Sequence, residues 1–246
     1  MGAVACTAGP ASPRKQPASL VVAAAADLQF AFEEIGPLFE RDTGVKVEFT
    51  FGSSGNLARQ IENGAPIDVY ASADESFVSE LQTEGLIVEN SRRVYALGRL
   101  ALISNRQTGL DLKRPQDLTS PGVKHVAIAN PDHAPYGKAA RQALERAGVW
   151  EQIRPKLVYG ENVRQALQFV QTGNAEAGIV ALSIAGVPEA TYTLIDQRLY
   201  DPLRQEMAVV RGTRQEATAR EFVALVGGPQ GGPVMKKYGF VLPEAP

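Results

Sequence analysis

Four short turns hold the residues of this chain best suited to chemistry. They are Ala26-Asp27-Leu28, Ser53-Ser54-Gly55, Pro135-Tyr136-Gly137 and Asn162-Val163-Arg164. Each precedes apolar residues at helical spacing, so each reads as a helix N-terminus. The first N–H groups of a helix have no partner inside it, and the helix dipole adds positive potential, so such a turn attracts an anion. Taken singly, Ser54 and Asn162 are ordinary N-caps. Taken together, the turns would encircle a small dianion with backbone N–H groups and hydroxyls, without lysine or arginine. Such a site selects by size and by proton count. Asp27 is the odd member, because it ends the apolar run Val21–Ala26 with a carboxylate.

Other chemistry has less to work with. There are two histidines, His125 and His133, and neither lies in a nucleophile-elbow sequence, so an enzyme is a remote reading. His125 begins a strand and reads as structural; His133 precedes Pro135 and reads as a surface residue or one supporting the cleft. The single cysteine, Cys6, permits no intrachain disulfide and makes a Cys/His zinc site unsuitable. Asp68, Asp74 and Glu161 match no cation-loop spacing. Trp150 and the tyrosines Tyr95, Tyr159, Tyr192 and Tyr200 read as packing residues. No resident cofactor is expected.

The turns need elements to hold them. The run before Asp27 is a buried strand, and Leu28, Phe32, Ile35 and Phe39 form one face of the helix after it. Strands are expected at Val45–Phe51, Asp68–Ser72, Leu97–Ser104, Lys124–Ala129, Lys156–Tyr159, Ala177–Leu182, Thr191–Ile195 and Met207–Val210. Helices with apolar faces alternate with most of them, and Lys236–Phe240 closes the chain. The alternation predicts an α/β fold of two lobes, each a mostly parallel sheet flanked by helices, with the ligand cleft between them. The expected division is lobe 1 from 19–101 with 206–246, and lobe 2 from 102–205. Residues 1–18, rich in Pro, Ala and Ser, read as a disordered leader or linker.

The 246 residues are 44% hydrophobic and 21% charged with a net charge of −2, which suits a globular protein and gives no basic face for nucleic acid. No stretch approaches the roughly 18 apolar residues of a membrane helix. Ala3-Val4-Ala5-Cys6 resembles the end of a bacterial lipoprotein signal, which makes Cys6 a candidate lipidation site; the alternative is a stray cysteine.

In order along the chain, VVAAAADL, FGSSGNLARQIENGAPIDVYASAD, IANPDHAPYGKAARQAL, PKLVYGENVRQALQFV, AGIVALS and KKYGF resemble the molybdate-binding periplasmic proteins of ABC importers. The resemblance spans Ser19 to Leu242. It implies a periplasmic or extracytoplasmic binding protein, acting as a monomer, that delivers molybdate or tungstate to a membrane permease. It also implies site residues. Ser54, with Ser53 beside it, matches the serine of the second turn, and Tyr136 and Val163 match the two backbone N–H positions. The metal, molybdenum or tungsten, would be held through its oxygens.

Two positions depart from the family pattern. Asp27 stands where a hydroxyl is usual, and Ala181 where a tyrosine hydroxyl often follows the AGIV-type strand. An ionised Asp27 facing a dianion is unfavourable. Three arrangements follow: Asp27 turns back to cap its own helix; it shares a proton with the ligand or is itself protonated; or its oxygen approaches the metal centre. The second and third would favour a different oxyanion (protonated and phosphate-like, or chromate) or a metal ion.

Overall fold

The computed structural model describes residues 19–243; the leader expected over 1–18 and the candidate lipidation site Cys6 lie outside the described residues. The chain opens with β1 (Leu20–Ala25), a 3₁₀ turn (Ala26–Leu28) and α1 (Gln29–Thr43). Phe32, Ile35 and Phe39 are buried on one face of α1, as their spacing requires. Gly44 ends the helix in the left-handed region, φ 72°, and its N–H donates to the Glu40 carbonyl. Two more units follow: β2 (Val47–Gly52) with α2 (Ser54–Glu62), then β3 (Val69–Ser72) with α3 (Glu75–Thr83). Asp74 caps α3 by accepting from the Ser76 N–H.

The strand expected over 97–104 is two strands, β4 (Arg93–Gly98) and β5 (Leu100–Asn105), broken at Arg99. They belong to different sheets. The second sheet then gathers β6 (Val126–Ala129), α4 (Pro135–Arg146), the short α5 (Trp150–Ile153), β7 (Leu157–Gly160), α6 (Val163–Gln171), β8 (Ala177–Ala181), the short α7 (Leu182–Ala185) and β9 (Ala190–Leu194). The chain returns to the first sheet as β10 (Leu203–Val209) and ends in α8 (Glu216–Val226) and α9 (Gly231–Lys237). Residues Lys236 and Lys237, read as part of a closing segment, are the last turn of α9.

The result is two five-stranded sheets, β2-β1-β3-β10-β4 and β7-β6-β8-β5-β9, flanked by helices. Both have the same plan. Three strands are parallel, β2-β1-β3 in one and β7-β6-β8 in the other. The other two, β10 with β4 and β5 with β9, pair antiparallel. The antiparallel strands flank the two passages between sheets, at Arg99 and between β9 and β10. Successive strands that change sheet cannot use the right-handed helical crossover that makes neighbours parallel. The parallel strands all end toward the gap between the lobes, which brings the four turns face to face.

Beneath α1, the rings of Phe32 and Phe39 meet Phe222 of α8 edge to face, centroids 5.7 and 5.4 Å apart. This geometry is worth roughly 0.5–1.5 kcal/mol per pair beyond area burial. It ties the opening helix to the returning segment of the same lobe. Among the described residues no helix is long and apolar enough to cross a membrane.

Candidate functional site

The four turns meet at one pocket. Its lining includes Asp27, Ser53, Ser54, Tyr136, Asn162 and Val163. Asp27, Ser53 and Ser54 come from the first lobe, and the other three from the second. Local chain chemistry explains the donors each turn offers. Asn162 is the N-cap of α6, and its Oδ1 accepts from the N–H groups of Arg164 and Gln165 at 3.0 and 3.1 Å. That leaves Val163, the first residue of the helix, with its N–H outside the cap. Tyr136 is the second residue of α4, directly after Pro135, where an N–H also has no helical partner.

Ser54 does not cap α2, contrary to the sequence expectation. Ser53 holds the cap position and Ser54 is the first helical residue, fully buried. Ser54 Oγ instead accepts from the Ala73 N–H at 3.0 Å, while its carbonyl accepts from the Tyr70 hydroxyl at 2.8 Å. A serine oxygen that already accepts from Ala73 has its own proton free to donate into the pocket.

Asp27 also departs from the cap expectation. It lies in the 3₁₀ turn, buried, and makes no side-chain cap bond. The cap position of this turn is Ala25, which puts Asp27 inside it. Its Oδ2 accepts from Gln205 Nε2 of β10 at 2.7 Å, and the same Nε2 is 3.0 Å from the Tyr136 hydroxyl. Asp27 Oδ1 is buried without a hydrogen-bond partner, as is Gln205 Oε1. Burial pushes the Asp27 carboxyl up to about 6, and the Gln205 amide, with the Tyr136 hydroxyl beside it, pulls it back only in part. The same burial, with the Asp27 charge beside it, raises Tyr136 well above an ordinary tyrosine. The Asp27 carbonyl accepts from Ser183 Oγ of α7 at 2.7 Å, which anchors the turn to the second lobe.

The lobes are closed over the pocket. The Gly55 N–H donates to the His133 carbonyl at 3.0 Å, and Ser53 Oγ lies 2.8 Å from His133 Nδ1. Asn56 Nδ2 donates to Glu161 Oε1 nearby. Position 55 has room for nothing larger than glycine, since a Cβ would lie 2.8 Å from the His133 carbonyl oxygen. His133, read as a surface or supporting residue, is thus a latch across the cleft, with 10% of its side chain exposed. His125 sits just before β6, its ring half exposed and its N–H donating to Glu176 Oε2.

Ala181 is not among the residues that line the pocket. It ends β8, paired with Leu100, and the chain turns directly into α7. A tyrosine hydroxyl is nevertheless present beside the site, that of Tyr136, a residue singled out only for its N–H. Gln205 was not singled out at all. Its one signal is an uncharged polar residue inside the strand Leu203–Val209, where it is fully buried. Gly98 makes room for this group: a Cβ there would lie 2.7 Å from Gln205 Nε2 and nearer still to the Tyr136 hydroxyl. Among the described residues no group of three or more His, Cys, Asp or Glu is placed to hold a metal ion, and Asp68, Asp74 and Glu161 do not converge.

Comparison with known proteins agrees with this geometry. Residues 20–241 match the family model described as bacterial extracellular solute-binding protein. The chain is 38% identical over 245 residues to the molybdate-binding protein ModA of Azotobacter vinelandii, covering 98% of this chain and 94% of that one. It is 37% identical over 223 residues to ModA of Rhodobacter capsulatus, covering 90% and 88%. The solved structure of the Azotobacter vinelandii periplasmic molybdate-binding protein superposes with a TM-score of 0.86 at 32% identity, covering 92% of this chain and all of that one. With two sheets, a closed interlobe pocket and a match along nearly its whole length, the chain belongs to the bacterial extracellular solute-binding proteins.

Proposed function

We propose that this chain is the extracytoplasmic receptor of an ABC importer, capturing molybdate, and tungstate with it, and handing it to the membrane permease. The observation that carries the reading is the closed pocket at which four strand–turn–helix units converge, with no lysine or arginine in its lining. The relatives named molybdate-binding protein support the choice of ligand. The proposed ligand contacts are the Ser54 hydroxyl, the N–H groups of Tyr136 and Val163, and Asp27, with Ser53 beside them. Uncharged donors in a site closed to water bind a dianion strongly because bulk solvent does not compete. Nothing in this role makes or breaks a covalent bond: the receptor is a carrier, and ATP hydrolysis belongs to its partners.

The moving units would be the two lobes, 19–101 with 206–246 and 102–205, hinged at the two passages. These limits fall two or three residues inside β5 and β10. The chain would act as a monomer. If Cys6 is lipidated, mass spectrometry of membrane-extracted protein will find the acyl mass on it. Asp27 favours a second reading, a receptor for an oxyanion that carries its own proton. Isothermal titration against molybdate, tungstate, sulfate, phosphate and chromate separates the two. Binding of molybdate or tungstate in preference to the others is expected; binding of phosphate with no heat from either would overturn the molybdate reading.

A further inference from the structure

We propose that Asp27 binds the oxyanion as a neutral carboxylic acid, donating from Oδ1, so that each dianion captured draws one proton into the site. The inference rests on the oxyanion reading of the pocket and specifies how its most unusual residue works. Three observations carry it. Asp27 lines the pocket, and only one of its oxygens is spoken for: Oδ2 accepts from Gln205 Nε2, while Oδ1 is buried with no partner. An ionised carboxylate has only acceptors to offer, and so does a molybdate oxygen. A proton on Oδ1 turns the orphan acceptor into the donor that a serine hydroxyl would otherwise supply.

The second observation is the absence of a compensating cation. Among the described residues Asp27 forms no ion pair, and the charged groups around it are engaged elsewhere, except Arg99 beyond Gly98, whose buried Nε has no partner. On α1, Glu33 accepts from Gln29 and Glu34 from Lys237. On α6, the Arg164 guanidinium lies over the Phe30 ring, 5.3 Å from its centroid, and donates to Gln171. The segment α7 presents Ser183 and no charge. On β2, Glu48 is on the exposed side of the strand. On β10, Glu206 pairs with Arg92 and Arg204 with Glu75. The titratable groups facing Asp27 are Tyr136 of α4 and Tyr95 of β4, both raised chiefly by burial and further by the Asp27 charge. His133 and Glu161 stand behind Ser53 and Asn56.

The third observation is the shape of the Asp27 neighbourhood. Gln205 is held beside the Tyr136 hydroxyl, and Gly98 leaves space for both. Gln205 is therefore a positioning residue: by engaging Oδ2 it decides which oxygen is left to meet the ligand. With the carboxyl already held at about 6 by burial, a dianion beside it raises it further. Solvent supplies the proton, and no covalent bond changes.

The test is calorimetry of the full chain with sodium molybdate. Titrations at pH 7.5 in two buffers of different ionisation enthalpy count the protons, and affinities from pH 5.5 to 8.5 give the profile. Close to one proton should be taken up per molybdate, and affinity should fall about tenfold per pH unit above 7. Asp27→Asn, whose amide can donate to the ligand without titrating, should bind with a flat profile and no proton uptake. Molybdate binding by the unaltered protein with no proton uptake overturns the inference alone, whether or not Asp27→Asn folds. Proton uptake that persists in Asp27→Asn also overturns it. Failure to bind molybdate at every pH overturns the proposed function, and the inference falls with it.

Discussion

The two walls of the pocket are built differently. In the proposed site the second-lobe wall supplies backbone: the N–H groups of Tyr136 and Val163, with Pro135 at the head of α4 and the Asn162 cap of α6 beside them. The first-lobe wall presents side chains: Ser54, oriented by the Ala73 N–H, and Asp27, oriented by Gln205. Backbone donors cannot titrate and change only if the helix start changes. Side-chain groups can gain or lose a proton, and they can be replaced one at a time. One wall is thus insensitive to pH and hard to alter by substitution, while the other sets the proton count.

The largest expected effect tests the side-chain wall in the unliganded protein. Burial raises Asp27 from its ordinary 3.8 to about 6, so the folded chain holds this proton more tightly than the unfolded chain. Folding stability is therefore favoured below about pH 4 and declines as pH rises through 6. Asp27→Asn removes that decline. Urea denaturation should show the variant more stable by about 3 kcal/mol at pH 8, and by about 1 kcal/mol at pH 4.5. An equal gain at both pH values would mean that shape rather than charge is responsible.

Closure comes next, because it brings the walls together. Gly55→Val places atoms against the His133 carbonyl, where even a Cβ is at 2.8 Å. Forcing such a contact costs about 1–3 kcal/mol. Titration with molybdate should show weaker binding by roughly ten- to hundredfold, with the unliganded melting temperature little changed, since the clash exists only in the closed form. An equal fall in unliganded stability would place the clash in the open form as well.

The smallest effect belongs to the backbone wall. Asn162→Ala removes the cap that accepts from Arg164 and Gln165 and should destabilise the protein by about 1 kcal/mol, read by denaturant titration. Its effect on molybdate affinity should be the same at pH 6 and pH 8, because the backbone N–H groups of that wall do not titrate. A pH-dependent effect would break the contrast between the walls.

Much of this was legible from residue types and spacing. The period of Leu28, Phe32, Ile35 and Phe39 specifies α1, and Asn162 and Asp74 specify two caps, because these signals act over a few residues. That each of the four turns starts or leads into a helix was legible for the same reason, while their convergence was expected from the two-lobed plan and the resemblance. Gln205, the Tyr136 hydroxyl and the His133 latch were not, because each acts on a residue far along the chain; Gln205 meets Asp27 across 178 positions. The split of 97–104 into β4 and β5 was missed because an apolar run does not record which sheet each half joins. The 3₁₀ turn at Ala26–Leu28 was missed because one extra turn alters no periodicity, yet it puts the one carboxylate that matters inside the turn, past its cap position.

The amino-acid sequence by itself determined the alternating strands and helices, the polar starts of those helices, and the presence of a carboxylate in one of them. These follow from backbone conformational preference and hydrophobic period, which are local. Only the tertiary structure decided that Asp27 has one oxygen engaged and one orphaned. That depends on which distant side chain, Gln205, is buried beside it, and on the exclusion of water and cations when two lobes close.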